Sequence, residues 1–298
     1  MQSAEPRFVA MAAYRRTGGR AQSSIMIHPS AIVHPGARVH PSVRIDPFAI
    51  VGEHVAIGRD TVVHAHAIIE GDTEIGERNQ IFPGAAIGLV PQDLKYDGAL
   101  SQVRIGDDNS IREYVTINRA TYEGEVTRIG SGNLLMAYVH VAHNCTIGDR
   151  TVIANSVALA GHVTIEDSVT IGGIVGVHQF VRVGTLAMIG GKSKVIQDVP
   201  PYTLVDGAPC RSRSLNAVGL RRAGIGAETR SHLKQAFRLL YRSGLRLEEA
   251  LEKIAALPSS PELDRLHGFA ENSLRGKRKL TPGTRSTSAA ASANAQNV

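Results

Sequence analysis

Tryptophan is absent from this chain of 298 residues, cysteine is scarce and aromatic residues make up only 4%. The two cysteines, Cys145 and Cys210, exclude a disulfide scaffold and a multi-cysteine zinc module. No apolar run approaches the roughly 18 residues of a membrane span, so no membrane insertion is expected. No apolar stretch of secretory length follows Arg15 and Arg16, which argues against export. Few cysteines and no export signal fit a reducing compartment, and a cytoplasmic location is expected. Acidic excess is missing too, since the formal net charge is +6. That balance permits nucleic acid, an anionic surface or an acidic protein as partner.

The ends differ from the middle. Residues 1–25 carry four arginines against one glutamate and show no periodicity. They read as a disordered extension or as translation begun upstream of Met26, with an arginine-rich transit peptide as the other reading. Residues 281–298 are small, polar and biased in composition, as in a solvated tail.

What fills the middle is a period of six. From Ile27 to Ile87, eleven consecutive sixth residues are Val or Ile. The pattern lapses over 89–104, returns at Ile105, Ile111 and Ile117, and lapses again over 120–128. It then runs from Ile129 to Val195. Six is even, so a strand presents the same face at each repeat. One large aliphatic per six then points inward, Gly or Asp behind it suits a bend, and small residues four places on (Ala31, Ala37, Thr61) fill the corner. Such a repeat marks a parallel β-helix of three six-residue sides, over residues 26–210. The two lapses read as protruding loops, the usual place for binding residues on a rigid scaffold, each set beside a neighbouring subunit.

After Pro200 and Pro201 the period disappears, and residues 211–280 read as a helical domain. Helices are expected over 226–243, 247–257 and 261–275. The first places Leu233, Ala236, Phe237, Leu240 and Tyr241 at helical spacing, with Gly244 as a stop. This part holds 15 Lys and Arg against 7 Asp and Glu, so the excess positive charge is concentrated here. A solvated helix face and an acidic protein partner both explain it. Nucleic acid is disfavoured, because interleaved aromatics and a recognisable binding motif are lacking.

Of the 12 histidines, His140, His143, His162 and His178 cluster, and His143, His162 and His178 follow one another at 19 and 16 residues, close to an 18-residue coil. Three readings are open. They are surface and corner residues, or a zinc site shared between subunits, or one of them is a metal-free general base.

The words PQDLKY (91–96), IREYVTINR (111–119), NLLMAYVHVAHNC (133–145), LAGHV (159–163), VHQF (177–180) and QDVPPY (197–202) occur in this order. Together with the repeat and the helical end, they resemble the UDP-N-acetylglucosamine O-acyltransferase family of lipid A biosynthesis, from Met26 to about Leu274. The resemblance implies an all-β left-handed parallel β-helix (hexapeptide repeats) followed by a small α-helical C-terminal domain. It implies a homotrimer without cofactor or metal, and transfer of a (R)-3-hydroxyacyl chain from acyl carrier protein to the 3-hydroxyl of UDP-N-acetylglucosamine. By the same resemblance His143 is the catalytic base and Gly161 a backbone donor to the developing oxyanion. Asp93, Lys95, His140, His162, His178 and Gln179 contact substrate, Asn216 and Arg222 bind nucleotide, and Gly191 sets acyl-chain length. Two positions depart from the family pattern. Asn144 follows the base where Asp is frequent, and Asn118 stands where some members have His. An amide can orient an imidazole but cannot neutralise it.

Overall fold

The structure is a computed structural model that describes residues 26–284. The expected N-terminal extension and most of the expected tail lie outside the described residues. Each hexad forms a short strand ending at its first position, as in Ile50–Val51, Ala56–Ile57 and Val62–Val63. The partner lies one coil on, in parallel: Ile50 with Ile68, and Val62 with Gln80. Three sheets of nine, eight and ten strands result, the sides of a parallel β-helix.

Two side chains per hexad turn inward. The first-position aliphatics, among them Ile45, Ile69, Ile117, Leu135, Ile153 and Ile171, are buried, as are fifth-position Val55, Thr61, Ala67 and Val157. Ala31 and Ala37 only pack partly against this core, because no earlier coil covers the first one. The bend itself differs from expectation. It is the fourth position, not the second, that takes positive φ, for instance Asp108, Tyr138, Asn144 and His162. The second-position glycines answer a close approach instead: a Cβ on Gly58 would lie 2.7 Å from the Gly76 carbonyl carbon of the next coil.

Both lapses are insertions that keep register. Ile75 pairs with Ile105 across the first and Ile105 with Ile129 across the second, spacings that remain multiples of six. Strands Ala86–Leu89, Gln102–Ile105 and Val126–Ile129 run into the lapses, so the irregular parts are somewhat shorter than 89–104 and 120–128. Arg119 clamps the first loop by donating to the Tyr96 hydroxyl at 2.6 Å. Asn118 donates to the Val90 carbonyl at 2.9 Å, which makes it a loop anchor.

The sheet continues past the expected boundary at 210. Thr203–Asp206 extends it, and Arg211–Leu215 returns antiparallel before the helices begin. These are α1 (Ala217–Arg222), α2 (Ala227–Arg242), α3 (Leu247–Ala255) and α4 (Pro261–Arg275). The three expected helices match α2 to α4 within two residues, and Gly244 has the φ of +76° suited to a stop. Leu233 and Ala236 of α2, Ile254 of α3 and Leu263 and Leu266 of α4 pack with Leu220 and Tyr202 in a second core. The expected tail from 281 begins later, because Thr281 is buried and its N–H donates to the Asp198 carbonyl at 2.8 Å. Ser212 N–H holds the Pro282 carbonyl, so residues 277–283 form a strap across the end of the β-helix.

Candidate active site

His143 occupies a corner after strand His140–Val141, where the second loop folds back over it. Two acceptors share its Nδ1–H, Asn144 Oδ1 and Thr121 Oγ1, each at 2.9 Å. The orientations are set by groups that can only donate or only accept. The Thr121 N–H donates to Asn144 Oδ1 at 3.1 Å, and the Thr121 hydroxyl donates to the Asp93 carboxylate at 3.2 Å. The proton therefore sits on Nδ1, and Nε2 carries the free lone pair. Asp93 Oδ2 lies 3.7 Å from Nε2, near enough to stabilise an imidazolium. Asp93 itself stays ionised readily: the Lys95 N–H above all holds its carboxyl below the usual range, with help from His143 and Thr121.

Around this base stands a column of rings, one coil per step. His162 meets His143 edge to face at 5.2 Å, and Phe180 stacks on His162 at 4.7 Å. Lys277 of the strap caps the column 3.7 Å from the Phe180 ring. His140 shares a 2.7 Å hydrogen bond with Thr116. Burial, then the nearby His143, pushes both His140 and His162 below the ordinary imidazole range. Arg278 donates to His178 Nδ1 at 2.6 Å, which leaves the His178 proton on Nε2.

A groove of about 500 Å³ runs from His140 and His143 past Ala142, Ala158, Ala160, Gly161 and Gly176 to His178 and Lys194. Side chains shrink along one line of the sheet, where His140 pairs with Ala158 and Ala158 with Gly176. Gly161 is indispensable to this shape, because a Cβ there would collide with the His143 ring. It also changes the hydrogen bonding of the corner. At another corner the N–H groups of Glu77, Asp107, Ser131 and Asp149 are each capped by a side chain from the next coil. Among the described residues no side chain caps the N–H of His143 or Gly161, which leaves backbone donors at the groove.

The structure thus brings together Asp93, His140, His143, Gly161, His162 and His178. Gln179 is exposed, with its carbonyl bound by Arg278. Lys95 is exposed on the loop, and Gln92 lines the groove instead. Asn216 caps α1, accepting from the Gly219 N–H while donating to the Leu186 carbonyl. Neither it nor Arg222, at the end of α1, lines the groove. Gly191 lies at a different corner, where a Cβ would meet only Gly173 backbone atoms. Sequence reasoning missed Thr121 and Glu125, whose only signal was membership of the second lapse, and Arg278, which no periodicity marks. Cys145 is no nucleophile: it is buried, and burial pushes its thiol up to about 12.

Stacked hexads, a histidine-lined groove and a helical end define a hexapeptide-repeat acyltransferase. The hexapeptide transferase model matches residues 127–161, and the model for domain 2 of UDP-N-acetylglucosamine O-acyltransferase matches residues 198–277. The acyl-(acyl-carrier-protein)–UDP-N-acetylglucosamine O-acyltransferase of Gloeothece citriformis is 55% identical over 72% of this chain and 79% of its own. The solved UDP-N-acetylglucosamine O-acyltransferase of Moraxella catarrhalis superposes with a TM-score of 0.82 at 43% identity, over 86% of this chain and all of that one. The Arabidopsis UDP-N-acetylglucosamine acyltransferase gives 0.78 at 34%, over 86% and 99%. The chain belongs to the UDP-N-acetylglucosamine O-acyltransferase family.

Proposed function

We propose that the chain transfers a (R)-3-hydroxyacyl group from acyl carrier protein to the 3-hydroxyl of UDP-N-acetylglucosamine, the first step of lipid A biosynthesis, with His143 as general base. A sugar hydroxyl is a poor nucleophile until its proton is taken as it attacks. Nε2 of His143 accepts that proton while the hydroxyl oxygen bonds to the thioester carbonyl carbon. Negative charge then collects on the carbonyl oxygen, where the Gly161 N–H can stabilise it. Collapse breaks the carbon–sulfur bond, and the imidazolium returns its proton to the thiolate. Asp93 supports the imidazolium, and His178 offers its Nε2–H to a substrate oxygen. The observation that carries this reading is the fixed Nδ1–H of His143, which makes Nε2 an acceptor facing the groove.

The remaining contacts are those that the family resemblance implies. Asn216 and Arg222 take the nucleotide, where a planar guanidinium suits a diphosphate. Lys95 reaches the same substrate from the loop, and His140, His162 and Gln179 shape the sugar and acyl sites. Self-association into a trimer is supported by exposed apolar groups. Phe48 stacks on His66 and Tyr114 on Tyr138 along one corner, the tyrosines more than half exposed at positive φ, and Leu94 at the loop tip is fully exposed. Bulky side chains in a costly backbone conformation with nothing over them fit a subunit contact.

His143→Ala tests the base. Acyl transfer by the purified protein is expected to fall by about 100-fold or more, with melt and oligomeric state unchanged. Near-native turnover would overturn the mechanism.

A further inference from the structure

The tautomer of His143 depends on which end of the Asn144 amide faces it. With Oδ1 toward the ring, Nδ1 is a donor and Nε2 a base. With the amide reversed, Nδ2–H would face Nδ1, the ring proton would move to Nε2, and the base would be lost. Asn144 sits at a corner with φ of +61°, its own N–H held by Thr127 Oγ1 at 2.9 Å, so its backbone is fixed. What remains free is the amide rotation. On the Oδ1 side stands the Thr121 N–H. On the Nδ2 side stands Glu125, whose Oε2 accepts from Nδ2 at 2.7 Å. A carboxylate offers only acceptors, so the reversed amide would press two oxygens together.

We propose that Glu125 is a positioning residue for the transfer reaction: from the second loop it locks Asn144 in the orientation that makes His143 Nε2 the base. The inference rests on His143 being that base. Glu125 is itself held in place. Its Oε2 accepts from the Tyr122 N–H at 3.2 Å, and its backbone carbonyl accepts from the Gln102 N–H at 3.0 Å. The second loop thus acts on the base by passing a fixed orientation from carboxylate to amide to imidazole. The carboxylate also adds a negative charge behind the ring, which favours the imidazolium formed during attack.

A double-mutant cycle separates this role from simple loop closure. Gln at 125 can turn its NH2 group to the place of Oε2, giving up the longer Tyr122 N–H bond, and then donate to a reversed Asn144 amide, so it dictates that amide less strictly. Glu125→Gln is expected to lower kcat about tenfold, a fraction of what general-base catalysis supplies, with both KM values within about twofold. Asp at 144 accepts with either oxygen and needs no lock. In the Asn144→Asp background, Glu125→Gln should therefore cost under about threefold or raise the rate. A native kcat for Glu125→Gln, or an equal loss in both backgrounds, would overturn the proposal, the second result assigning Glu125 to loop closure alone. His143→Ala distinguishes the two failures. If it retains turnover, the base itself is misassigned, whereas its inactivity with an unresponsive Glu125 removes only this inference.

Discussion

At the residue scale, two glycines that look alike in sequence carry opposite demands. Neither Gly161 nor Gly191 adopts positive φ, so backbone strain explains neither. Gly161 lies against the His143 ring and has no room for a Cβ, whereas a Cβ on Gly191 would meet the Gly173 carbonyl oxygen at a tight 3.2 Å with little else near it. Gly161→Ala should therefore push the imidazole off its position and lower kcat roughly 100-fold, the usual cost of an ångström's misplacement. Gly191→Met should fold and turn over, but favour shorter acyl donors by filling the space of several methylenes, each worth about 0.8 kcal/mol of burial. Turnover with a single donor reads the first, where a near-native kcat would show that the ring is not displaced. Competition between donors of different chain length reads the second. An unchanged preference in Gly191→Met would remove Gly191 as the determinant of length.

At the element scale, the coils are tied by more than their strands. Fifth-position polar residues form a buried ladder down one corner. The Asn109 N–H donates to Asn79 Oδ1, the Asn133 N–H to Asn109 Oδ1, and the Thr151 N–H to Asn133 Oδ1, at 2.7–2.9 Å. The Asn79 and Asn109 amides also reach backbone carbonyls, as Asn109 Nδ2 does to Gly130 at 2.9 Å, whereas Asn133 Nδ2 is buried without a partner. The ladder begins at Thr61, whose Oγ1 accepts from the Asn79 N–H at 3.1 Å, and its Asn79–Asn109 rung spans the first loop, so it holds register where the insertion would let a coil slip. Asn109→Ala leaves the Asn133 N–H and the Gly130 carbonyl unpaired in a dry interior. The expected loss is about 2–4 kcal/mol, from about 1–3 kcal/mol per orphaned group, read as a lowered urea midpoint. A midpoint within a few tenths molar of the parent would mean that water or backbone shifts replace the ladder.

At the scale of the whole molecule, charge is divided between the two parts. The β-helix, residues 26–210, is acidic, with 19 Asp and Glu against 13 Lys and Arg. It pairs arginines with carboxylates, such as Arg78 with Asp108 at 2.8 Å and Arg104 with Asp72 at 3.0 Å. The helical domain carries the opposite excess. A depression of about 370 Å³ between α1 and α2 is lined by Arg221, Arg230, Lys234, Arg238 and Arg242, with no acidic residue among its walls. An acidic carrier protein would be drawn to that surface, and salt would screen the attraction. The KM for acylated carrier should rise several-fold as ionic strength goes from low to physiological, and rise again in Arg238→Glu. A KM indifferent to both would leave the patch as a solvated face. Light scattering on the same active enzyme should report three chains of 31.8 kDa.

Much of this architecture was legible because a β-helix is quasi-one-dimensional: each coil contacts only its neighbours, so period, core and register are all written locally. Ile117, Leu135 and Val141 are buried for the same reason that they recur every six residues. The amphipathic spacing of α2 to α4 was equally local, and the ordered words around His143 marked the family. What the linear chain could not reveal was which side chains meet across an insertion. Thr121 and Glu125 lie in a segment without periodicity, and they reach Asn144 and His143 only because the second loop folds back over its own coil. Arg278 finds His178 a hundred positions away because Asp198 pins the strap, its N–H donating to the Lys279 carbonyl at 2.9 Å and its carbonyl accepting from the Thr281 N–H at 2.8 Å. Repetition determined the scaffold. The protonation state of its base was decided by hydrogen bonds between segments that no repeat connects, since donor and acceptor roles exist only once the groups are in contact.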